Sequence, residues 1–291
     1  MIHPLIHFGF GVEFQQPAVL AEALAQAVCH NKFFGDFLRS SEQLASTSPT
    51  NQGASLLDLM NEIREDPALY DEDYWDGGDS LNDKILADSP EKLCQIAAKW
   101  RVNGKDLDEK TAEMFEANVY LMGAAQRPEK EVKLDFFFMH SVNASLFFTA
   151  FNKQTWLSIE NKVRLLEWKG RMDLLTYASR LAPKLDGDEI FNYKPRQAGL
   201  TWSSLIERVN QLKHDDGHIA KLVRALAHGS QVCAPYHDRP ELSARFPLNE
   251  RGFFQIANMA LDTTTDHILP RRWVRGAGGE RNWINCADRG S

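Results

Sequence analysis

The sequence has few of the features that mark disulfide-stapled, membrane-spanning or nucleotide-binding proteins. Only four of its 291 residues are cysteine, and none of them form a Cys-x-x-Cys pair, which argues against a zinc ribbon or a disulfide framework. No apolar run reaches the roughly 18 residues that a membrane span needs, and the first residues show no signal-peptide pattern. Glycine-rich phosphate loops and the Gly-x-Ser-x-Gly elbow of serine hydrolases are also missing. These absences predict a cytoplasmic protein that does not associate with membranes.

The charge is negative and unevenly distributed. The net charge is −7, while residues 1–140 hold 12 Lys and Arg against 24 Asp and Glu, a net of −12, and the remainder holds 21 against 16, a net of +5. Nucleic-acid binding requires a basic surface. We therefore do not expect nucleic acid to be a partner.

Apolar residues recur at helical spacing in most of the chain, whereas alternating β-branched runs are missing. We therefore predict an all-α, multi-helix bundle-like fold that forms one domain over residues 1–291. The predicted helices begin at Pro17 and after Ser89, cover 136–151 and 159–181, and include a segment over 222–228 that ends at Gly229. Long loops are predicted at 65–79, which holds seven acidic residues, and at 235–247, which holds three prolines.

Two pairs of histidines lie four residues apart, a spacing that can place both rings on one face of a helix. His3 and His7 flank Pro4, which suits a first helical turn, so both rings could reach one metal ion. His214 and His218 enclose Asp-Asp-Gly, which indicates a turn instead of one continuous helix. For this second pair, exposed turn residues are the simpler interpretation.

His140 stands in the most apolar predicted helix, so its ring is expected to be buried. A buried polar group without a partner costs about 1–3 kcal/mol. The sequence leaves two partners open: a backbone carbonyl or Asn143 one turn away, or a metal ion.

Lys169 falls on the apolar stripe of the helix predicted over 159–181, where lysine is rare unless it is paired. One interpretation is an ion pair with Asp173 at i+4. The other is an amine whose pKa is lowered by burial and which reacts with CO2 to give a carbamate, a carboxylate-like metal ligand.

Several segments together resemble the questin oxidase-like proteins of fungal polyketide pathways. The similar segments are His3-Pro-Leu-Ile-His7 with the Phe-Gly-Phe-Gly that follows, Asp135-Phe-Phe-Phe-Met-His140, Leu166-Glu-Trp-Lys-Gly-Arg-Met-Asp173, Asp216-Gly-His-Ile-Ala-Lys-Leu and Trp273-Val-Arg-Gly-Ala-Gly278.

This resemblance implies O2-dependent, Baeyer–Villiger-type ring cleavage of an anthraquinone-like polyketide. It further implies a mononuclear non-haem iron held by four histidines and a carboxylated lysine, and it leaves a requirement for NADPH open. Carried over to matching positions, it implies His3, His7 and His140 as metal ligands and Lys169 as the modified lysine, with His140 and Lys169 acting in catalysis.

Members of the family carry a further histidine-containing segment before the His-Pro-x-x-His motif. We therefore expect this chain to lack one ligand, for which His30 is a candidate replacement. Two alternatives stay open at this point: a metal-assisted hydrolase or lyase that uses zinc at the same ligands, and an inactive helical homologue.

Overall fold

Helices make up most of the regular structure, which confirms the all-α prediction. The computed structural model of the chain describes residues 2–29, 33–47, 54–70, 90–265 and 272–290. Its α-helices are α1 (Ile2–Glu13), α2 (Pro17–Cys29), α3 (Phe33–Thr47), α4 (Leu56–Arg64), α5 (Pro90–Ala97), α6 (Leu107–Ala124), α7 (Phe136–Ser145), α8 (Phe148–Asn152), α9 (Ile159–Ser179), α10 (Asp188–Phe191), α11 (Trp202–Asn210), α12 (His218–His237) and α13 (Glu250–Asp262).

The helix starts follow local chemistry that is visible in the sequence. Pro17 is the first residue of α2, where its missing N–H and fixed φ are tolerated. Ser158 and Asn249 cap α9 and α13, because their side-chain oxygens accept backbone N–H groups of the first turn. Ser89, His30 and residues 71–79 of the predicted acidic loop lie outside the described residues.

Helices α6 and α7 lie at the centre of the core. Nearly every residue of α6 is buried, and α7 is buried from Phe138 onward. Helices that are buried on nearly all faces must be surrounded by other helices. Helices α9, α12 and α13 pack against α6, and α1 packs against α7 and α8.

Helix α12 corrects two predictions. Gly229 does not end a helix, because α12 continues through it from His218 to His237. A Cβ at Gly229 would lie 2.8 Å from the Phe115 ring, so this glycine allows close packing and does not terminate the helix. The segment from Pro235 is therefore not extended at its start; Pro235 lies in the last turn of α12, and only the residues after His237 leave the helix.

A short parallel pair of strands joins the C-terminal part of the chain to the start of α7. Strand β1 (Leu134–Asp135) pairs with β2 (Trp273–Val274). The buried carboxylate of Asp135 caps α7 by accepting the Phe137 N–H at 2.8 Å and also accepts the N–H groups of Gly276 and Ala277 at 2.7 and 3.0 Å. This carboxylate therefore fixes β2 beside the first turn of α7. None of the described helices has the length and apolar character required to cross a membrane.

Candidate functional site

The close packing of α1 brings His3 to α7. At Gly9 of α1 an added Cβ would lie only 2.1 Å from the Phe147 ring, so only glycine allows α1 to approach this closely. Pro4 and Ile6 of the same helix are buried against the neighbouring helices. The contact fixes the first turn of α1, which carries His3, over the middle of α7.

Three histidines from three helices meet at this point. The ring centroids of His3 and His140 lie 5.0 Å apart, and those of His140 and His218 lie 5.6 Å apart. We call His3, His140 and His218 the histidine cluster. The ring of Phe136 packs against two members, with centroids 4.5 Å from His140 and 5.3 Å from His218. The structure thus brings two of the sequence-predicted ligands together and adds His218.

The ring of His140 is held in one tautomer. Its Nδ1 lies 2.7 Å from the carbonyl oxygen of Phe136, and because a carbonyl only accepts, Nδ1 must carry the hydrogen. Its Nε2 therefore has a lone pair directed away from the backbone of α7. Burial lowers the pKa of His140 to about 3, and the nearby charges of Lys221, His3 and His218 act in the same direction.

His218 is the member of the cluster that sequence reasoning undervalued. The turn over Asp215–Gly217 was correctly predicted, but it leads directly into α12 and places His218 at the first residue of that helix. A carboxylate oxygen of Asp216 lies 2.7 Å from His218 Nδ1. The contact has the distance of an ion pair but not the direction of a hydrogen bond, which His218 Nδ1 lacks among the described residues. A carboxylate beside Nδ1 is common at metal-binding histidines. The signal in the sequence that could have indicated this placement of His218 is its position directly after Asp-Asp-Gly, at the start of a helix.

An aromatic surface and two cations adjoin the cluster. The Trp273 ring of β2 lies 6.0 Å from Phe136 and 6.4 Å from His218, measured between centroids. The guanidinium of Arg275 lies 4.5 Å from the Phe136 centroid. Lys221, one turn after His218 on α12, is half-buried, and burial lowers the pKa of its amine. Flat aromatic and negatively charged groups are the ligands that these side chains favour.

His7 is one turn from His3, but its ring makes a different contact. His7 Nε2 lies 3.2 Å from a carboxylate oxygen of Glu22 on α2, with the His7 side chain partly exposed and that of Glu22 mostly exposed. None of the ring contacts found among the described residues joins His7 to the cluster. Its role as a metal ligand stays a prediction.

Lys169 is in a separate buried polar group. Its Nζ lies 2.6 Å from each carboxylate oxygen of Asp173, and neither side chain has any exposed surface. Burial lowers the pKa of Lys169 and raises that of Asp173, while their mutual attraction opposes both shifts. The ion pair considered from the i+4 spacing is therefore present. The role of Lys169 as a carboxylated ligand stays a prediction, and no described contact connects its amine to the histidines.

The histidine cluster has donors suited to a divalent metal ion, although the rings are not turned toward one point. Imidazole nitrogens bind such metals at about 2.1 Å, which sets the centroids of neighbouring ligand rings roughly 5 Å apart. The centroid distances of 5.0 and 5.6 Å agree with this spacing. Within the part of the chain that the structure describes, however, no three His, Cys, Asp or Glu side chains are already set to hold one ion. A metal ion held by these three rings would therefore require movement of their side chains.

A profile of the family described as questin oxidase-like matches residues 1–226. Most of the chain is covered, and the chain belongs to this family. It is 41% identical over 289 residues to a questin oxidase of Aspergillus fumigatus, which covers 97% of this chain and 64% of that protein. It is 38% identical to a Baeyer–Villiger oxidase of Emericella nidulans and to a Baeyer–Villiger monooxygenase of a Cryptosporiopsis species, with 97% of this chain covered in each case. The chain spans a little under two thirds of the length of these relatives.

Proposed function

We propose that this chain forms the catalytic part of an oxidoreductase that cleaves a ring of an anthraquinone-like polyketide by Baeyer–Villiger-type oxidation. The observation that carries the proposal is the meeting of His3, His140 and His218 beside aromatic rings and cations. The names of the relatives, which are questin oxidase and Baeyer–Villiger oxidase, support the reaction class.

The histidine cluster would hold a non-haem iron, with His7 as the further ligand implied by the family resemblance. Iron held in this setting would supply the binding and activation of O2. The hydrogen bond from His140 Nδ1 to Phe136 fixes the orientation of one donor ring before any ligand binds. A carboxylate oxygen of Asp216 lies 2.7 Å from His218 Nδ1 and would support the ring of His218 in the metal-bound form.

Two lysines are candidates for the modified ligand, and the geometry favours Lys221 over Lys169. The charge of Lys221 acts on His140, and Lys221 lies one turn from His218 on α12. The amine of Lys169 instead donates to both carboxylate oxygens of Asp173. If Lys221 stays unmodified, its amine and the guanidinium of Arg275 are placed to bind a phenolate or carbonyl oxygen of the substrate.

The substrate would lie against Phe136 and Trp273, whose rings border the cluster. Rings of this kind bind a flat polycyclic compound by offset or edge contacts and exclude water from its reacting face. The role of the protein in the reaction is then to orient the aromatic ring and to hold its acidic oxygen beside the cations.

Metal content and oxygen uptake test the proposal. The purified chain, loaded with Fe(II) without air, should bind about one iron per chain and consume O2 when an anthraquinone is added, measured with and without NADPH. The His140→Ala and His218→Ala variants should lose the iron and keep their helix content by circular dichroism. His214→Ala, which alters the exposed partner of the His214 and His218 pair, is the matched control and should retain it.

Other results would contradict parts of the proposal in different ways. Iron retained in both His140→Ala and His218→Ala would exclude the histidine cluster as the site. Zinc at unit stoichiometry without O2 uptake would favour a hydrolase or lyase, and no bound metal would favour an inactive helical protein. Retention of iron in Lys221→Met would exclude Lys221 as a required metal ligand.

A further inference from the structure

Helix α7 meets a buried polar group on one side and carries His140 on another. The group consists of Lys169 and Asp173 of α9, Asn118 of α6 and Ser145 of α7, and we call it the polar node. Asn118 Nδ2 donates to Asp173 at 2.7 Å, and Lys169 Nζ donates to Ser145 Oγ at 3.3 Å. The node therefore connects the three helices α6, α7 and α9 within the core.

The hydrogen bonds of the node specify positions on each helix. Ser145 Oγ also bonds the carbonyl of Ser141 at 2.9 Å, which ties the hydroxyl to the last turn of α7. Asn118 Nδ2 also donates to the carbonyl of Met114 at 2.8 Å on α6. Hydrogen bonds of this kind require one distance and one direction, unlike apolar contacts.

Apolar packing alone does not determine how α7 is rotated about its axis. Its apolar side chains, among them Phe138, Val142 and Ala144, point to more than one side of the helix, and the hydrophobic effect is non-directional. Several rotations of such a helix bury similar areas. Ser145 projects about 140° from His140 around the helix, so the contact that holds Ser145 also sets the direction of His140.

A small rotation has a large effect at the histidine cluster. Side chains extend roughly 5 to 6 Å from a helix axis, so a rotation of about 20° moves a ring by about 2 Å. Displacement of a reacting group by about 1 Å can reduce catalysis by about a hundredfold. The rotation of α7 is therefore a property that the proposed reaction would require.

We propose that the polar node is a positioning device that fixes the rotation of α7 and so places the His140 ring between His3 and His218. Lys169, Asp173 and Ser145 are positioning residues in this role and do not contact the substrate. The catalytic relevance of the placement rests on the proposed function, whereas the placement itself is a property of the metal-free chain.

The test compares two pairs of substitutions on one helix. Lys169→Met with Asp173→Leu removes the node, and Arg171→Met with Glu167→Leu removes another i, i+4 ion pair of α9, in which the Arg171 side chain is buried. Both variants are examined without metal by NMR of histidine labelled with ¹³C and ¹⁵N. The readout is the set of nuclear Overhauser contacts from the His140 ring to the rings of His3 and His218.

We expect the node variant to remain helical and to lose the contacts from His140, while the control variant keeps them. Retention of the contacts in the node variant would overturn the proposal, as would their loss in both variants. If the node variant does not fold, Ser145→Ala decides, because it removes only the hydroxyl that links Lys169 to α7. Contacts that are unchanged in Ser145→Ala would then overturn the proposal. The histidine contacts are measured on the metal-free chain, so they can be observed even if the chain does not bind iron. Failure of the proposed function is therefore distinguishable from failure of this proposal.

Discussion

Helix α7 separates two polar regions that differ in how far their donors and acceptors are satisfied. On the node side, Lys169 and Asp173 have no exposed surface, and their charged atoms bind each other and neighbouring polar groups. On the other side, the histidine cluster reaches the surface, and His140 Nε2 makes no hydrogen bond to any described residue. A buried polar group that is satisfied within the protein serves structure, whereas one with an open lone pair near the surface is available to a ligand.

The largest loss of stability is expected when the buried ion pair of the polar node is broken. Lys169→Met leaves the buried carboxylate of Asp173 without its counter-charge, and loss of one partner of a buried pair costs about 3–5 kcal/mol. Urea denaturation followed by circular dichroism measures this loss. Arg164→Met on the same helix is the control, because its pair with Glu42 is largely exposed and should contribute about 0–1 kcal/mol. Equal losses of unfolding free energy in the two variants would show that the polar node stabilises the fold no more than an ion pair at the surface does.

A smaller effect is expected at the contact that brings α1 to the cluster. Gly9→Ala places a methyl group against Phe147 and should destabilise the fold by about 1–3 kcal/mol through overpacking. It should also separate His3 from His140 and weaken metal binding, which titration calorimetry can measure. At Gly35 of α3 an added Cβ meets only the mobile end of Arg39, so Gly35→Ala should leave both properties unchanged or stabilise the helix. Normal metal binding by Gly9→Ala would show that the close approach of α1 is not needed.

The smallest effect is expected in the pH dependence of stability, through the partly buried His228 of α12. His228 donates to or accepts from Thr149 Oγ1 at 3.0 Å, and burial lowers its pKa from the ordinary value of 6.5. Below that value the unfolded chain takes up a proton that the folded chain does not, so stability falls as pH falls. His228→Gln should lose less stability between pH 8 and pH 5 than the unaltered chain, by urea denaturation at both pH values. An identical loss in the two proteins would show that His228 does not contribute to acid sensitivity.

Local patterns were sufficient to predict several helices but not where α12 ends. Pro17 and the apolar stripe over 159–181 act through their immediate neighbours, so α2 and α9 could be predicted. The single helix predicted over 136–151 is wrong, because the chain turns at Leu146 and Phe147 and forms α7 and α8 instead. Gly229 is a common helix terminator, yet packing against Phe115 maintains the helix through it. Pro235 also lies within α12, where its missing hydrogen bond would go to the carbonyl of Gln231, an exposed residue whose carbonyl can bond water instead.

The sequence by itself determined that the chain is helical, that His140 and Lys169 are buried polar residues in need of partners, and that Asp173 is within reach of Lys169. These properties depend on spacing along one helix, which is fixed at about 3.6 residues per turn. Only the tertiary structure decided that His218 joins His3 and His140, that His7 turns toward Glu22, and that the charge of Lys221 acts on His140. Those contacts join helices far apart in the chain, and they depend on packing at points such as Gly9 and Phe147 that no local pattern specifies.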